Sequence, residues 1–251
     1  MSGKLAAAVF CDPPYNVRVR SIGGRGRIRH SEFAFASGGM PPAQFRRFLL
    51  DTLGNGVRVS KDGAVHYVCM DWRHVDHLID AGREFFGAML NLVVWNKSNA
   101  GLGSFYRSLY EHIGVFRVGD GSHRNNIELG RFGRNRSNVW TYPGVNTFGK
   151  GRMEALAGHP TVKPVALVAD ALLDCSARGD IALDQFVGSG TTILAAEKIG
   201  RIGFGMEYEP AYVDVAIKRW QTMTRLEATL AVDGRTFEEI ATERSNKGRS
   251  P

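Results

Sequence analysis

The stretch IALDQFVGSGTTILAAEKIGRIGFGME, residues 181 to 207, decides the fold. An apolar run predicted as a strand from Asp180 to Phe186 passes Asp184 and enters a turn bearing Gly188 and Gly190. A helix-like run then spans Thr191 to Ile199, and a second strand-like run from Ile202 to Met206 ends in Glu207. Strand, glycine turn, helix, strand and acid is the order from which open α/β sheets build a nucleoside site. The glycines let a ligand approach the backbone, the helix begins there, and the acid at the next strand end accepts from ribose hydroxyls. A dinucleotide cofactor needs a third glycine where Ile193 stands, and a P-loop needs a Lys after Gly190, where the chain has Thr191. Ser189, Thr191 and Thr192 suit a small zwitterion better than a pyrophosphate. A plain glycine turn joining strand to helix is the rival explanation.

A second motif precedes it in the chain. The apolar run Leu5 to Phe10 leads into Asp12-Pro13-Pro14-Tyr15, a strand that ends in a rigid turn. Two prolines fix φ and remove two N–H donors, which leaves carbonyls free as acceptors. Asp12 adds carboxylate oxygens and Tyr15 a flat face for a planar ring, so the turn is suited to an aromatic amine. Alone it reads equally well as an ordinary strand-end turn. The two motifs together favour a site.

The remaining chain alternates strand and helix, the pattern of an α/β sheet. A helix is predicted from Pro42, with Phe45, Phe48, Leu49, Thr52 and Leu53 on one face and an end or weak point at Gly54-Asn55-Gly56. A turn at Ser60 to Gly63 precedes a strand from Val65 to Met70. The segment Trp72 to Phe86 reads as a helix, and Leu90 to Trp95 and Ile113 to Val118 as strands. Pro164 suits the first position of a helix carrying Val165, Val168, Leu172 and Cys175 on one face. Pro210 opens another, with Tyr212, Val215, Ala216 and Trp220 on its buried side. An edge strand near Ala228 to Val232 and a charged, solvated tail complete the expectation.

The loops are basic. Arg25, Arg27 and Arg29 lie in a Gly- and Arg-rich loop directly after Tyr15, where a phosphate-gripping flap competes with a solvated charged loop. Between two strands, Asn96 to Arg107 offers Phe105 or Tyr106 for stacking and Lys97 or Arg107 for phosphate. From 119 to 157 periodicity vanishes, and Arg131, Arg134 and Arg136 stand among Gly, Asn and aromatic residues, as in a segment that reads base edges.

At 251 residues with 43% hydrophobic content, the chain buries one large core, and a single domain over 1–251 is expected. The net charge of +7 favours a polyanionic partner. Cys11, Cys69 and Cys175 lack CxxC spacing, which argues against disulfides and zinc and for a cytoplasmic protein. No leader and no bilayer-spanning apolar run is visible, so no membrane partner is expected.

Taken together, DPPY at Asp12 to Tyr15, HPTVKP at His159 to Pro164 and FVGSGTT at Phe186 to Thr192 resemble the DNA amino-methyltransferases acting on adenine N6 or cytosine N4, in the circularly permuted group where DPPY precedes FxGSGTT. CMDWRH at Cys69 to His74 and NAGLGSFYR at Asn99 to Arg107 are closest to the methylase module found fused behind ParB-like nuclease domains. The resemblance implies a Rossmann-like methyltransferase fold, mostly parallel, with helices on both faces and a target-recognition insert at 120–157. It implies S-adenosylmethionine as cofactor and double-stranded DNA as partner, with no metal. Asp12, Pro13, Pro14 and Tyr15 become the catalytic set. Asp184, Phe186, Gly188, Ser189, Gly190, Thr191 and Glu207 contact the cofactor, with Thr161 and Lys163 near its methionine end.

Two departures stand out. Gln185 replaces a Pro usual in that group, which is expected to loosen the turn, and the chain begins a few residues before the catalytic strand, which shortens the N-terminus. The Asp of DPPY tilts the acceptor toward adenine. Open alternatives are cytosine N4, an RNA or protein amine, or an inactive binding homologue, with a nicotinamide-dependent oxidoreductase more distant. A homodimer is compatible with the sequence, and a companion restriction enzyme would be another chain.

Overall fold

A computed structural model describes residues 1, 3–17, 38–101, 105–131, 133, 135–144 and 162–247. Its centre is β1 (Ala6–Cys11), whose small and apolar side chains Ala6, Ala8, Val9, Phe10 and Cys11 are buried on both faces. The chain continues through α1 (Pro42–Arg58), β2 (Ser60–Met70), α2 (Val75–Arg83), β3 (Ala88–Asn96), β4 (Tyr110–Arg117) and β5 (Val139–Thr141). It then forms α3 (Val165–Cys175), β6 (Ile181–Asp184), α4 (Thr191–Lys198), β7 (Ile202–Gly205), α5 (Pro210–Thr224) and α6 (Phe237–Lys247).

The seven strands lie in the order β5-β3-β4-β2-β1-β6-β7. All neighbours pair parallel except β4, which runs antiparallel to both β2 and β3. The α/β sheet is therefore mixed and mostly parallel. Phe45, Leu49 and Leu53 of α1 and Leu78 and Ala81 of α2 cover one face. Leu167, Val168 and Leu172 of α3 with Ala195 and Ala196 of α4 cover the other. From β1 the chain crosses through α1 to β2 on one side, whereas β6 crosses through α4 to β7 on the other. The crevice between the carboxyl ends of β1 and β6 is thus a switch point of the sheet, where such folds bind ligands.

Several boundaries differ from the sequence expectation for identifiable reasons. Helix α1 runs through Gly54 and Gly56 to Arg58, because those glycines admit neighbours. A Cβ at Gly54 would lie 3.0 Å from the Phe85 ring, and one at Gly56 would lie 2.8 Å from Gln185 Oε1. The turn expected at Ser60 to Gly63 is instead an irregularity inside β2, with the register against β1 shifting between Ala6 and Ala8 and Gly63 at φ +76°. Helix α2 begins only at Val75, since the Asp71 carboxylate accepts the Arg73 N–H at 3.0 Å and holds a turn there.

Further along, Pro164 caps α3 rather than opening it, and β6 stops at Asp184, whose Oδ1 accepts the Phe186 N–H. The named side chains of α5 are only half-buried. The expected edge strand is a turn closed by a single bridge, Thr229 to Thr236. The tail beyond it folds as α6, because Thr236 and Glu239 exchange hydrogen bonds as a capping box. Strand β5 arises inside the aperiodic 119–157 stretch, seated on the end of β3. Among the described residues, no helix is long and apolar enough to cross a membrane.

Candidate active site

Strands β1 and β6 are parallel neighbours, so the turns after Cys11 and Asp184 emerge side by side. One cleft is lined by Asp12, Pro13, Pro14, Tyr15 and Lys163 together with Asp184, Phe186, Gly188, Ser189, Thr191, Thr192 and Glu207. Residues far apart in sequence are brought together there by the sheet.

The glycine turn is held from several sides. Asp184 is buried, accepts the Thr192 hydroxyl at 2.6 Å and the Phe186 N–H at 2.9 Å, and is pushed up to about 7 by burial, which those two bonds partly offset. Gly188 adopts φ +49° and donates its N–H to Glu207 Oε2 at 2.8 Å, while Glu207 Oε1 accepts from Glu209 N. Each Glu207 oxygen keeps a lone pair for a ligand hydroxyl. Gly190, at φ +84°, precedes α4 and faces Ala216 of α5 instead of lining the cleft. Arg219 of α5 donates to both the carbonyl and the hydroxyl of Ser189, a clamp that no motif in the sequence announces. Gln185 donates to the Thr52 carbonyl at 2.9 Å, so this residue fastens the turn to α1 where loosening was expected.

Across the cleft, Asp12 sits in a charged group. Its Oδ1 accepts the Tyr15 hydroxyl at 2.5 Å and its Oδ2 accepts the Lys163 ammonium at 2.5 Å. Lys163 also lies 3.2 Å from the Tyr15 hydroxyl oxygen and 3.2 Å from Glu111 Oε2. Glu111, on β4, is 3.0 Å from the Tyr15 hydroxyl through Oε2 and accepts Lys97 on Oε1. Burial alone would lower the pKa of the Lys163 ammonium, but the carboxylates of Asp12 and Glu111 override it and hold the group well above its ordinary value. Burial opposes ionisation of Glu111 too, yet Lys163 and Lys97 bring it down to about 2. Tyr15 is held as a neutral phenol by burial and by the neighbouring acids.

Of the basic residues expected to grip DNA, Lys97 is instead paired to Glu111 and lies over the Trp95 ring. Arg136 is bound to Asp174 at 2.7 Å and stacked on Trp140 at 4.5 Å, so it serves packing. Arg131 pairs with Glu128, and its stretch is anchored at Asn126 to the end of α3, on the side of the sheet away from Asp12, and at Asn138 to Asn91 and Val94 of β3. Arg107 lies near that edge and donates to the carbonyls of Ala100 and Gly101. Thr161, Arg25, Arg27, Arg29 and Arg134 lie outside the described residues. Glu111 was missed by sequence reading. Its only signal is an acid beginning a strand after a polar loop.

The cleft offers what a nucleoside bearing a charged amino-acid arm requires: Glu207 has lone pairs left for hydroxyls, Phe186, Val187 and Tyr212 supply apolar walls, and the Gly188 turn adds no side chain to the lining. A family described as DNA methylase, of the N6/N4 methyltransferase type, matches residues 6–218. The Type II methyltransferase M.HpaI of Haemophilus parainfluenzae is 25% identical over 225 residues, covering 84% of this chain and 67% of that protein. The Type II methyltransferase M.ScaI of Streptomyces caespitosus is 37% identical over 93 residues, and the matched part spans about a third of its length, 31%.

Among solved structures, PvuII DNA methyltransferase (cytosine-N4-specific) superposes with a TM-score of 0.67 at 16% identity, over 98% of this chain and 86% of that one. The M1.HpyAVI–SAM complex does so at 0.58 and 20% identity, over 87% and 90%. At such identities these two likenesses speak for the fold alone. With the family match running from the start of β1 into α5 and taking in both halves of the cleft, the chain belongs to the N6/N4 DNA methylases, enzymes that move a methyl group from S-adenosylmethionine to an exocyclic amino group in DNA.

Proposed function

We propose that this chain methylates the N6 amino group of adenine in double-stranded DNA, with the target base flipped out of the helix into the cleft beside Asp12. The observation that carries the reading is the single cleft shared by Asp12-Pro13-Pro14-Tyr15 and the Gly188 to Thr192 turn with Glu207. When bound, S-adenosylmethionine supplies an electrophilic methyl group on a sulfonium sulfur. Glu207, Gly188, Ser189, Thr191 and Phe186 would hold it, with Asp184 shaping the turn and Lys163 and Thr161 toward its amino-acid end.

The acceptor nitrogen is a poor nucleophile because its lone pair is delocalised into the ring. Asp12 and the Pro13 carbonyl accept its two hydrogens, draw it toward a tetrahedral shape and aim the lone pair. Positioning and electrostatic stabilisation therefore act through the same two acceptors. Asp12 retains lone pairs for this beyond those used by Tyr15 and Lys163. Tyr15 offers its ring to the extruded base, which offsets part of the cost of unstacking.

The same reading takes the motif order as circularly permuted, with kinship to the methylase module of ParB-like fusions. Because β1 and β6 are neighbours in the sheet, either motif could come first in the chain without altering the cleft. It also takes 1–251 as one domain with a recognition insert within 120–157. In the described part of that insert, Trp95 Nε1 donates to the Tyr142 carbonyl at 2.9 Å. A homodimer belongs to this reading and is checked by sedimentation.

The test is transfer of labelled methyl from S-adenosylmethionine to mixed-sequence duplex DNA, followed by nucleoside analysis. N6-methyladenine is expected, and N4-methylcytosine would keep the mechanism and reverse the base. Asp12→Ala should abolish transfer while cofactor binding stays within about twofold, since Asp12 acts on the acceptor. Unchanged turnover in that variant would refute the assignment of Asp12.

A further inference from the structure

Beyond the residues that face the acceptor, the charged group around Asp12 contains two members that the transfer reaction does not obviously need. Glu111 and Lys97 stand behind Asp12, Tyr15 and Lys163, on β4 and at the end of β3. Glu111 has a side chain only 13% exposed, and that of Lys163 is 6% exposed. Ion clusters buried this far add little net stability compared with apolar residues of the same volume. Their place beside the acceptor site therefore asks for another account.

We propose that Glu111 is a positioning residue for methyl transfer: it shares the Lys163 ammonium and the Tyr15 hydroxyl with Asp12, and so leaves Asp12 able to accept from the target amine. This rests on the reading of Asp12 given above. The geometry carries it. Lys163 has three N–H bonds and three oxygens around it, Asp12 Oδ2 at 2.5 Å, Tyr15 Oη at 3.2 Å and Glu111 Oε2 at 3.2 Å. Tyr15 has one hydroxyl proton and two carboxylates within reach, at 2.5 Å and 3.0 Å.

Take Glu111 away, and the whole positive charge of Lys163 falls on Asp12. An acid neutralised in that way is a weaker acceptor for an amine that carries only a partial positive charge. The Tyr15 hydroxyl also loses one of its three hydrogen-bonding neighbours, keeping Asp12 and Lys163, so the plane on which a base would lie is held less firmly. Positive charge builds on the acceptor nitrogen as it is methylated, and an Asp12 carboxylate that alone balances the Lys163 ammonium stabilises that charge less. Lys97 explains how a second acid is tolerated here. Its ammonium sits on Glu111 Oε1, so the group of Asp12, Glu111, Lys97 and Lys163 is neutral as a whole.

The rival is that Glu111 only balances Lys97. Two variants separate the cases. Glu111→Gln keeps the shape and removes the charge, and Glu111→Gln with Lys97→Met removes both charges and restores neutrality. Each is measured for thermal midpoint, for the Kd of S-adenosylmethionine and for the single-turnover rate of methyl transfer to duplex DNA. In Glu111→Gln the rate is expected to fall on the order of 10- to 100-fold, less than the loss of a group in direct contact with the reacting atoms, while the cofactor Kd holds within about twofold. The double variant should regain the thermal midpoint and stay slow.

Recovery of the rate in the double variant, or a parental rate in Glu111→Gln, would overturn the proposal. If Glu111→Gln fails to fold, the double variant carries the test alone. Asp12→Ala measured alongside tells the two failures apart. If Asp12→Ala is inactive while the Glu111 variants are fully active, only the role of Glu111 falls; if Asp12→Ala is active, the reading of the acceptor site falls first.

Discussion

Replacing Gly190 with Ala strikes the cofactor turn at a point where the structure sets the size of the effect. Gly190 has φ +84°, and a Cβ built there would stand 2.7 Å from Ala216 Cβ and 3.0 Å from Ala216 Cα. Holding an L residue in the left-handed region costs about 1–2 kcal/mol. The contact is with a methyl and a helix backbone, neither of which can swing aside, so overpacking adds about 1–3 kcal/mol. Gly190→Ala should therefore lose about 2–5 kcal/mol, read from urea denaturation at constant m.

A second substitution isolates the contact. Ala216→Gly removes the methyl at the price of about 1 kcal/mol in helix propensity. In the double variant the 2.7 Å contact with the methyl is removed while the 3.0 Å contact with the Ala216 backbone and the φ cost remain, so the cycle should show a favourable coupling of about 1–2 kcal/mol. A single variant that loses under about 1 kcal/mol, or a cycle with no coupling, would refute the packing of Gly190 against α5 and the account of why the turn carries a glycine there.

Three further outcomes are expected of this molecule. Asp184 is pushed up to about 7 by burial, so its share of stability is full at low pH and lost as pH rises through 7; His66, buried beside Ser60, is pushed down to about 3, and its share is full above 6.5 and lost as pH falls. The two nearly cancel between about pH 4 and 6.5, so Asp184→Asn should unmask a rise of about 1.4 kcal/mol per pH unit there in denaturation experiments, and a flat profile would contradict a neutral His66 in the folded state. Arg136→Ala should cost about 1–3 kcal/mol of stability without changing the salt slope of DNA binding, whereas a phosphate contact would reduce that slope by about one. Gln185→Ala should cost about 1 kcal/mol through the lost bond to Thr52, and a large loss of cofactor affinity with stability intact would mean that Gln185 touches the ligand instead.

The sheet and both halves of the cleft were legible because they rest on local signals. Apolar runs, glycines and prolines mark where β1 and β6 end, and the acids Asp12, Asp184 and Glu207 fall at or just past strand ends. What sequence could not supply was contact between distant segments. Gly54 and Gly56 read as helix breakers, but they serve Phe85 and Gln185, and the packing outweighs the poor helix propensity of glycine. Strand β5 has only three residues and no alternation of its own, so its identity comes from pairing with β3. Lys97 and Arg136 read as free cations because Glu111 and Asp174, which neutralise them, lie 14 and 38 positions along the chain. Thr236 and Glu239, in contrast, were a helix-start signal that the charge of the tail concealed.

The reversed direction of β4 has a bearing on ancestry. In a sheet whose strands all point one way, the first residues of a strand lie on the edge remote from the ligand. Here the opening residues of β4 sit level with the last residues of β2 and β3, as the pairing of Met70 with His112 and Trp95 with Glu111 shows. Glu111 can reach Tyr15 and Lys163 only because this one strand is turned round. Its presence is thus a topological marker. In a remote relative whose short motifs have eroded, an acid at the opening of the inverted strand, with a lysine just past the end of the strand beside it, would mark the same arrangement and could be searched for.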